Sequence, residues 1–131
     1  PHAGHALRGQ FLRSLFYLSC TVQEAYKQFY YPERYSTRPE DAVNIRAKSL
    51  DTLLEVWHPV DLHLAANGPY HLGERFSLVD IYMVMLLTWH PDTQGLLSVF
   101  PGVNKCYNLV CPRPAVSKCL GMQQRLSVGR I

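Results

Sequence analysis

The chain is short of charge. Asp, Glu, Lys and Arg make up 18% of its 131 residues, against an average of roughly 25%. The charge that exists does not cluster. The formal balance is +3 with six His taken as neutral, and no run of basic residues is present. A nucleic-acid footprint would need Lys and Arg gathered on one face, so no nucleic-acid partner is expected. No long apolar run is present either. The most apolar stretch, Ile81 to Trp89, is far shorter than the roughly 20 residues of a membrane span, so no membrane partner is expected.

Other absences narrow the chemistry. Cys20, Cys106, Cys111 and Cys119 include no CxxC pair, and His58, His63, His71 and His90 lack metal-ligand spacing. No metal is expected. No secretory signal pattern is present. Four cysteines in a well-cored chain of this length do not make a staple-dependent scaffold. They read as reduced thiols of a cytoplasmic protein, with Cys20, Cys106 and Cys119 buried as small hydrophobes. Cys20 has Phe16, Tyr17, Gln23 and Glu24 within helical reach and no His, so nothing activates it as a nucleophile. No strand alternation, repeat or low-complexity segment appears.

What is present is hydrophobic and helical. Apolar residues form 47% of the chain, and the length suits one domain with one real core. Low charge beside such a core implies a covered partner surface. The organising stretch is Phe76-Ser77-Leu78-Val79-Asp80-Ile81-Tyr82 with the apolar run to Trp89. Ser77 reads as an N-cap and Asp80 as the N3 member of a capping box. Phe76 and Ile81 occupy the positions of a hydrophobic staple. A helix apolar on nearly every face belongs in the middle of a protein.

Around it the chain reads as helix upon helix. Residues 1–6 are a linker or disordered end. Leu7 to Tyr31 is a helix with Leu12, Leu15, Phe16, Leu18, Val22, Ala25, Tyr26 and Phe29 at helical spacing, stopped by Pro32. Its last turns crowd Tyr26, Phe29, Tyr30 and Tyr31, with Tyr35 beyond, enough rings to line a pocket edge. A second helix runs from about Glu40 to Ala65. Its apolar residues are Val43, Ala47, Leu50, Leu53, Leu54, Trp57, Leu62 and Leu64, and Pro59 should kink or divide it. Asn67-Gly68-Pro69 ends it, and Gly73 can take positive φ in the connection that follows. The capped helix runs to about His90. Asp92 to Phe100 is a short helix or a loop. Val103 to Val110 and Pro114 to Leu120 are further helices, and residues 121–131 read as a tail. The fold class is all-α, a bundle around a buried capped helix.

The stretch Gly68 to Tyr82, Gly-Pro-Tyr-His-Leu-Gly-Glu-Arg-Phe-Ser-Leu-Val-Asp-Ile-Tyr, resembles the C-terminal helical domain of cytosolic glutathione transferases, especially bacterial ones. Val79 stands where that family commonly has Ala. Phe100-Pro-Gly-Val, Arg113-Pro-Ala-Val116 and the helix end at Tyr31-Pro32 add to the likeness, which covers Leu7 to about Leu120. The resemblance implies that residues 7–120 form a glutathione-transferase C-terminal-like bundle. It implies a thioredoxin-like N-terminal domain as partner, a homodimer, and glutathione as co-substrate held mainly by that other domain. In this picture the present chain alone is inactive and holds no catalytic residue. It supplies the wall for an apolar electrophile, which the intact enzyme conjugates or reduces with the glutathione thiolate.

Carried over position by position, the likeness selects Tyr17, Gln23, Glu24 and Trp89, with Cys20 among them, as substrate-pocket candidates. Trp89 matches a Trp near the substrate pocket, and Tyr17 an aromatic of the first helix. Phe16 stands where beta-like members offer an Asn to the partner subunit's glutathione. Gln23, followed by Glu24, stands where they place a His near the sulfur. Ser77 and Asp80 are assigned to the cap rather than to chemistry. An alternative reading is a non-enzymatic assembly domain, since similar helical domains serve as modules in translation complexes.

Overall fold

Prolines set most of the helix boundaries. A computed structural model describes the backbone of residues 1–128 and side chains as far as Gln123. The helices are α1 (Arg8–Tyr17), α2 (Gln23–Tyr30), α3 (Ala42–Asn67), α4 (Leu78–Leu87), α5 (Thr93–Val99), α6 (Pro101–Val110) and α7 (Pro114–Val128). A π-helical turn, Leu18–Val22, joins α1 to α2. Leu18 and Gln23 keep right-handed helical dihedrals at the two junctions, so the expected single helix is one continuous rod. It stops at Tyr31, where φ is −131°, and Pro32 opens a 3-10 turn. No strand occurs among the described residues; only isolated bridges tie Tyr70 to Gly73 and Leu72 to Arg75. Gly73 takes the positive φ expected of it, at 70°.

The π turn inserts an extra residue per turn and so moves the buried stripe. Leu18, Val22, Ala25 and Tyr26 are buried, but Phe16, expected on the apolar face, is 61% exposed. The apolar face expected for α3 also needs correction. Leu53, Trp57 and Leu64 are buried together with Val60, whereas Val43, Leu50, Leu54 and Leu62 are exposed. Leucines lie on several sides of α3, and its packing against α2 and α6 selects the buried stripe. Pro59 does not divide α3. Pro59 and Glu55, whose carbonyl loses its amide partner, both sit at exposed positions, where water can take the missing bond.

Helix α4 fills the centre. Val79, Met83, Leu86 and Leu87 are at 0% exposure, while Leu78 and Ile81 face outward. Phe76 packs edge-on to Tyr70 at 5.7 Å and lies beneath the Arg113 guanidinium at 3.6 Å. Beside α4, buried Trp57 donates its indole N–H to the Tyr26 hydroxyl at 3.2 Å. The α6 N-terminus is held from another helix: the Asp61 carboxylate on α3 accepts the Val103 amide at 3.0 Å. Gly102 permits that approach, since a Cβ there would lie 2.8 Å from the Asp61 carbonyl oxygen.

Both ends of the chain are more structured than expected. Pro1–Ala6 folds back, with Arg8 donating to the Pro1 carbonyl at 2.7 Å and Arg75 meeting His5 at 2.7 Å. Helix α7 continues past Leu120 to Val128, where apolar spacing has given out; residues 129–131 lie outside the described residues. The thiols are free, but Cys20 and Cys119 are exposed and only Cys106 is buried, correcting the expectation for the other two.

Candidate functional site

The two ends of α4 carry the polar features of the domain. At its N-terminus the capping box forms as expected. The Ser77 amide donates to Asp80 Oδ2 at 2.7 Å, and the Val79 amide donates to Ser77 Oγ at 3.3 Å. Asp80 does more than cap. Its Oδ1 accepts the His71 amide at 2.9 Å and lies 3.0 Å from His71 Nδ1, with the Cys106 thiol 3.8 Å away. Asp80 has 0% exposure and His71 2%. Burial pushes the Asp80 carboxyl up, but the His71 ring and amide, with the Ser77 amide, outweigh it and hold the carboxyl below its ordinary range.

His71, Asp80 and Cys106 bring three possible ligand atoms within 4.8 Å of one another. The chemistry does not suit a cation. Both Asp80 oxygens are occupied by N–H donors, and burial followed by the Asp80 charge pushes the Cys106 thiol up, away from thiolate. The cluster is a folding hub. His71 was missed in the sequence because a residue nine positions before a cap carries no local periodicity that ties it to the cap.

At the other end of α4, Thr88 and Trp89 turn away and face α2 across a cleft of about 500 Å³. Gln23, Tyr26, Lys27, Tyr30 and Tyr31 line its opposite side. The π turn sets the direction from which α2 presents them. Trp89 stands edge-on to Tyr26 at 6.1 Å, and the Tyr30 hydroxyl donates to the Trp89 carbonyl. The Gln23 side-chain oxygen accepts from the Tyr82 hydroxyl of α4. Burial raises the Tyr30 phenol, and burial with nearby Cys20 raises that of Tyr82. These hydroxyls therefore stay protonated at neutral pH and act as donors. The cleft offers aromatic faces, phenolic hydroxyls and the Lys27 ammonium, and among the described residues no base that would activate a nucleophile lines it.

The structure thus joins two of the five pocket candidates, Gln23 and Trp89. The other three lie elsewhere. Tyr17 donates to the Val56 carbonyl at 3.0 Å and borders a different cavity. Cys20 is exposed, with its sulfur 3.6 Å from Ser19 Oγ. Glu24 pairs with Lys27 at 2.8 Å and accepts the Tyr35 hydroxyl at 2.6 Å; Lys27 and then Tyr35 hold its carboxyl below the usual range. The tyrosine-rich end of the rod signalled the cleft: Tyr26, Tyr30 and Tyr31 line it, while Tyr35 does not.

Comparison with known proteins agrees with this architecture. The family model described as "Glutathione S-transferase, C-terminal domain" matches residues 21–114. An uncharacterised GST-like protein of Escherichia coli (strain K12), YncG, is 27% identical over 120 residues, covering 92% of this chain. The chain spans 57% of that relative's length. No solved structure gives a significant match. With the family match across most of its helices, the chain belongs to the glutathione S-transferase C-terminal domain family.

Proposed function

We propose that this chain is the electrophile-binding half of a glutathione transferase. The observation that carries the reading is the cleft in which Gln23 and three tyrosines of the rod face Trp89. The relative, longer than this chain, leaves room for a thioredoxin-like domain that binds glutathione and lowers its thiol pKa. The thiolate would then attack an electrophilic carbon or sulfur, forming the new bond as the leaving group departs with the electron pair. The rod and Trp89 would hold the apolar part of the electrophile by burial, each methylene contributing roughly 1–3 kcal/mol of discrimination. The Gln23 side-chain amide would meet polar groups of the same molecule, held in place by the Tyr82 hydroxyl that donates to its oxygen. The chain alone has no activity in this reading.

The exposed Val43, Leu50, Leu54 and Leu62 of α3 support a covering partner, which we assign to the second domain and a homodimer mate. The four free thiols support a reducing, cytoplasmic setting. The same exposed leucines suit the second reading, an assembly module, equally well. Assays of the full-length protein separate them. The transferase reading requires glutathione binding and turnover of at least one member of a broad electrophile panel; absence of both rejects it. A stable hetero-complex in native mass measurement, without glutathione binding, selects the assembly module.

A further inference from the structure

Most polar groups around the Gln23–Trp89 cleft are already engaged within the protein. The Tyr30 hydroxyl donates to the Trp89 carbonyl, and Thr88 Oγ1 donates to the Met85 carbonyl at 2.6 Å. The Tyr26 hydroxyl accepts the Trp57 indole N–H at 3.2 Å. Lys27 is paired with Glu24 at 2.8 Å, and Glu24 is fixed in turn by the Tyr35 hydroxyl at 2.6 Å. The ammonium on the cleft wall is therefore matched by a carboxylate. Tyr31 is exposed, with the Arg34 guanidinium over its ring at 4.4 Å.

Gln23 is the exception. It is half-buried and lines the cleft. A primary amide carries an acceptor oxygen and two N–H donors. The Gln23 oxygen accepts from the Tyr82 hydroxyl of α4, while Nε2 makes no hydrogen bond among the described residues. Tyr82 does not itself line the cleft. The oxygen is thus held on the α4 side by a residue outside the cleft, which leaves the nitrogen as the free end of the amide. What Gln23 retains for another molecule is donors.

An amide donor in an aromatic cleft of balanced charge selects its ligand. An anion would have to compete with Glu24 for Lys27, and a donor group would meet a Gln23 oxygen that is already bonded. An uncharged ring compound with an acceptor oxygen fits both conditions. We propose that Gln23 determines the specificity of the cleft, its amide nitrogen donating to a ketone carbonyl, or an equivalent neutral oxygen, on an aromatic electrophile whose ring lies against Trp89 and the rod tyrosines. Tyr82 is the positioning residue that keeps the amide in this orientation. The inference rests on the electrophile-binding reading and narrows it from apolar molecules in general to uncharged ones that bear an acceptor.

The test is binding to the 15N-labelled full-length protein without glutathione, followed by NMR. The probes share one shape: acetophenone, α-methylstyrene, in which a CH2 group replaces the carbonyl oxygen, and benzoate. The Trp89 indole N–H reports entry into the cleft, and the Gln23 side-chain N–H signals report the contact. Acetophenone should shift both saturably; α-methylstyrene should shift Trp89 and move Gln23 far less. Gln23→Glu keeps the shape and the bond from Tyr82 but replaces the donor with an acceptor. It should weaken acetophenone relative to α-methylstyrene about threefold to tenfold. Tyr82→Phe frees the amide to turn and should reduce the same ratio by a smaller factor, whereas a merely structural defect would weaken both probes alike. A ratio unchanged in both variants, or benzoate binding tighter than acetophenone, would overturn the proposal while leaving the cleft a ligand site. If no probe moved Trp89, the electrophile-binding reading itself would fall, and this inference with it.

Discussion

The two ends of α4 use similar residue types for opposite purposes. At the N-terminus, Asp80 and His71 are dry and Ser77 is half-buried, and among the described residues His71 Nε2 is the one buried side-chain polar atom without a partner. At the C-terminal end, Trp89 is half-buried and Tyr30 and Tyr31 are exposed around a cleft, with only Tyr26 buried behind them. Buried polar groups are costly unless paired, so the closed end can specify only the fold. The open end leaves aromatic faces uncovered. A polar cluster in an apolar setting is thus no sign of chemistry by itself. What separates the two is unfilled space beside the polar groups.

That contrast can be broken at several points. Asp80→Ala should have the largest effect. It strands the His71 amide and His71 Nδ1 in a dry interior and removes the cap bond to the half-buried Ser77 amide, costing about 3–5 kcal/mol, more than a surface cap alone. Urea unfolding of the variant measures it. Gly102→Ala should cost roughly 1–3 kcal/mol, because its methyl would press on the α3 backbone at Asp61.

Acid should weaken the closed end before the open one. The Asp80 carboxyl is held below its ordinary range, so its contribution is complete above the unfolded-state value near 3.8. It is lost as pH falls through the lower folded-state value. Unfolding midpoints of wild type should therefore fall below about pH 4, and Asp80→Asn should flatten that part of the profile. A profile unchanged by Asp80→Asn would remove the carboxylate from its assigned role. The smallest effect is expected at Glu24→Gln. That side chain is exposed in an i, i+3 pair with Lys27, and exposed pairs contribute little. Thermal melting should show no resolvable shift.

The capped helix was legible in the sequence because Ser77 and Asp80 sit at fixed offsets before an apolar run. The all-helical class and the boundaries at Pro32 and Pro114 were legible for the same local reason. The stripe of α3 was not: with leucine on several sides, long-range packing decides which are buried, and Leu50, Leu54 and Leu62 ended outside. The π turn was invisible because Leu18–Val22 reads as ordinary helix, and it displaced Phe16 from the predicted face. The cleft was half legible. Aromatic crowding at the end of the rod marked one wall, and Trp89 the other. Tyr17, Cys20 and Glu24 share the rod but not the direction, which a linear spacing cannot reveal across a π turn.

The central claim is that the Trp89 end of α4 binds ligand while the Asp80 end holds the fold. Steady-state kinetics of Trp89→Ala in the full-length protein, with an electrophile that wild type turns over, test it most directly. The account predicts a rise in KM for the electrophile of about tenfold, an unchanged KM for glutathione, and a thermal midpoint far closer to wild type than that of Asp80→Ala. An unchanged KM for the electrophile, or a loss of stability matching that of Asp80→Ala, would contradict it.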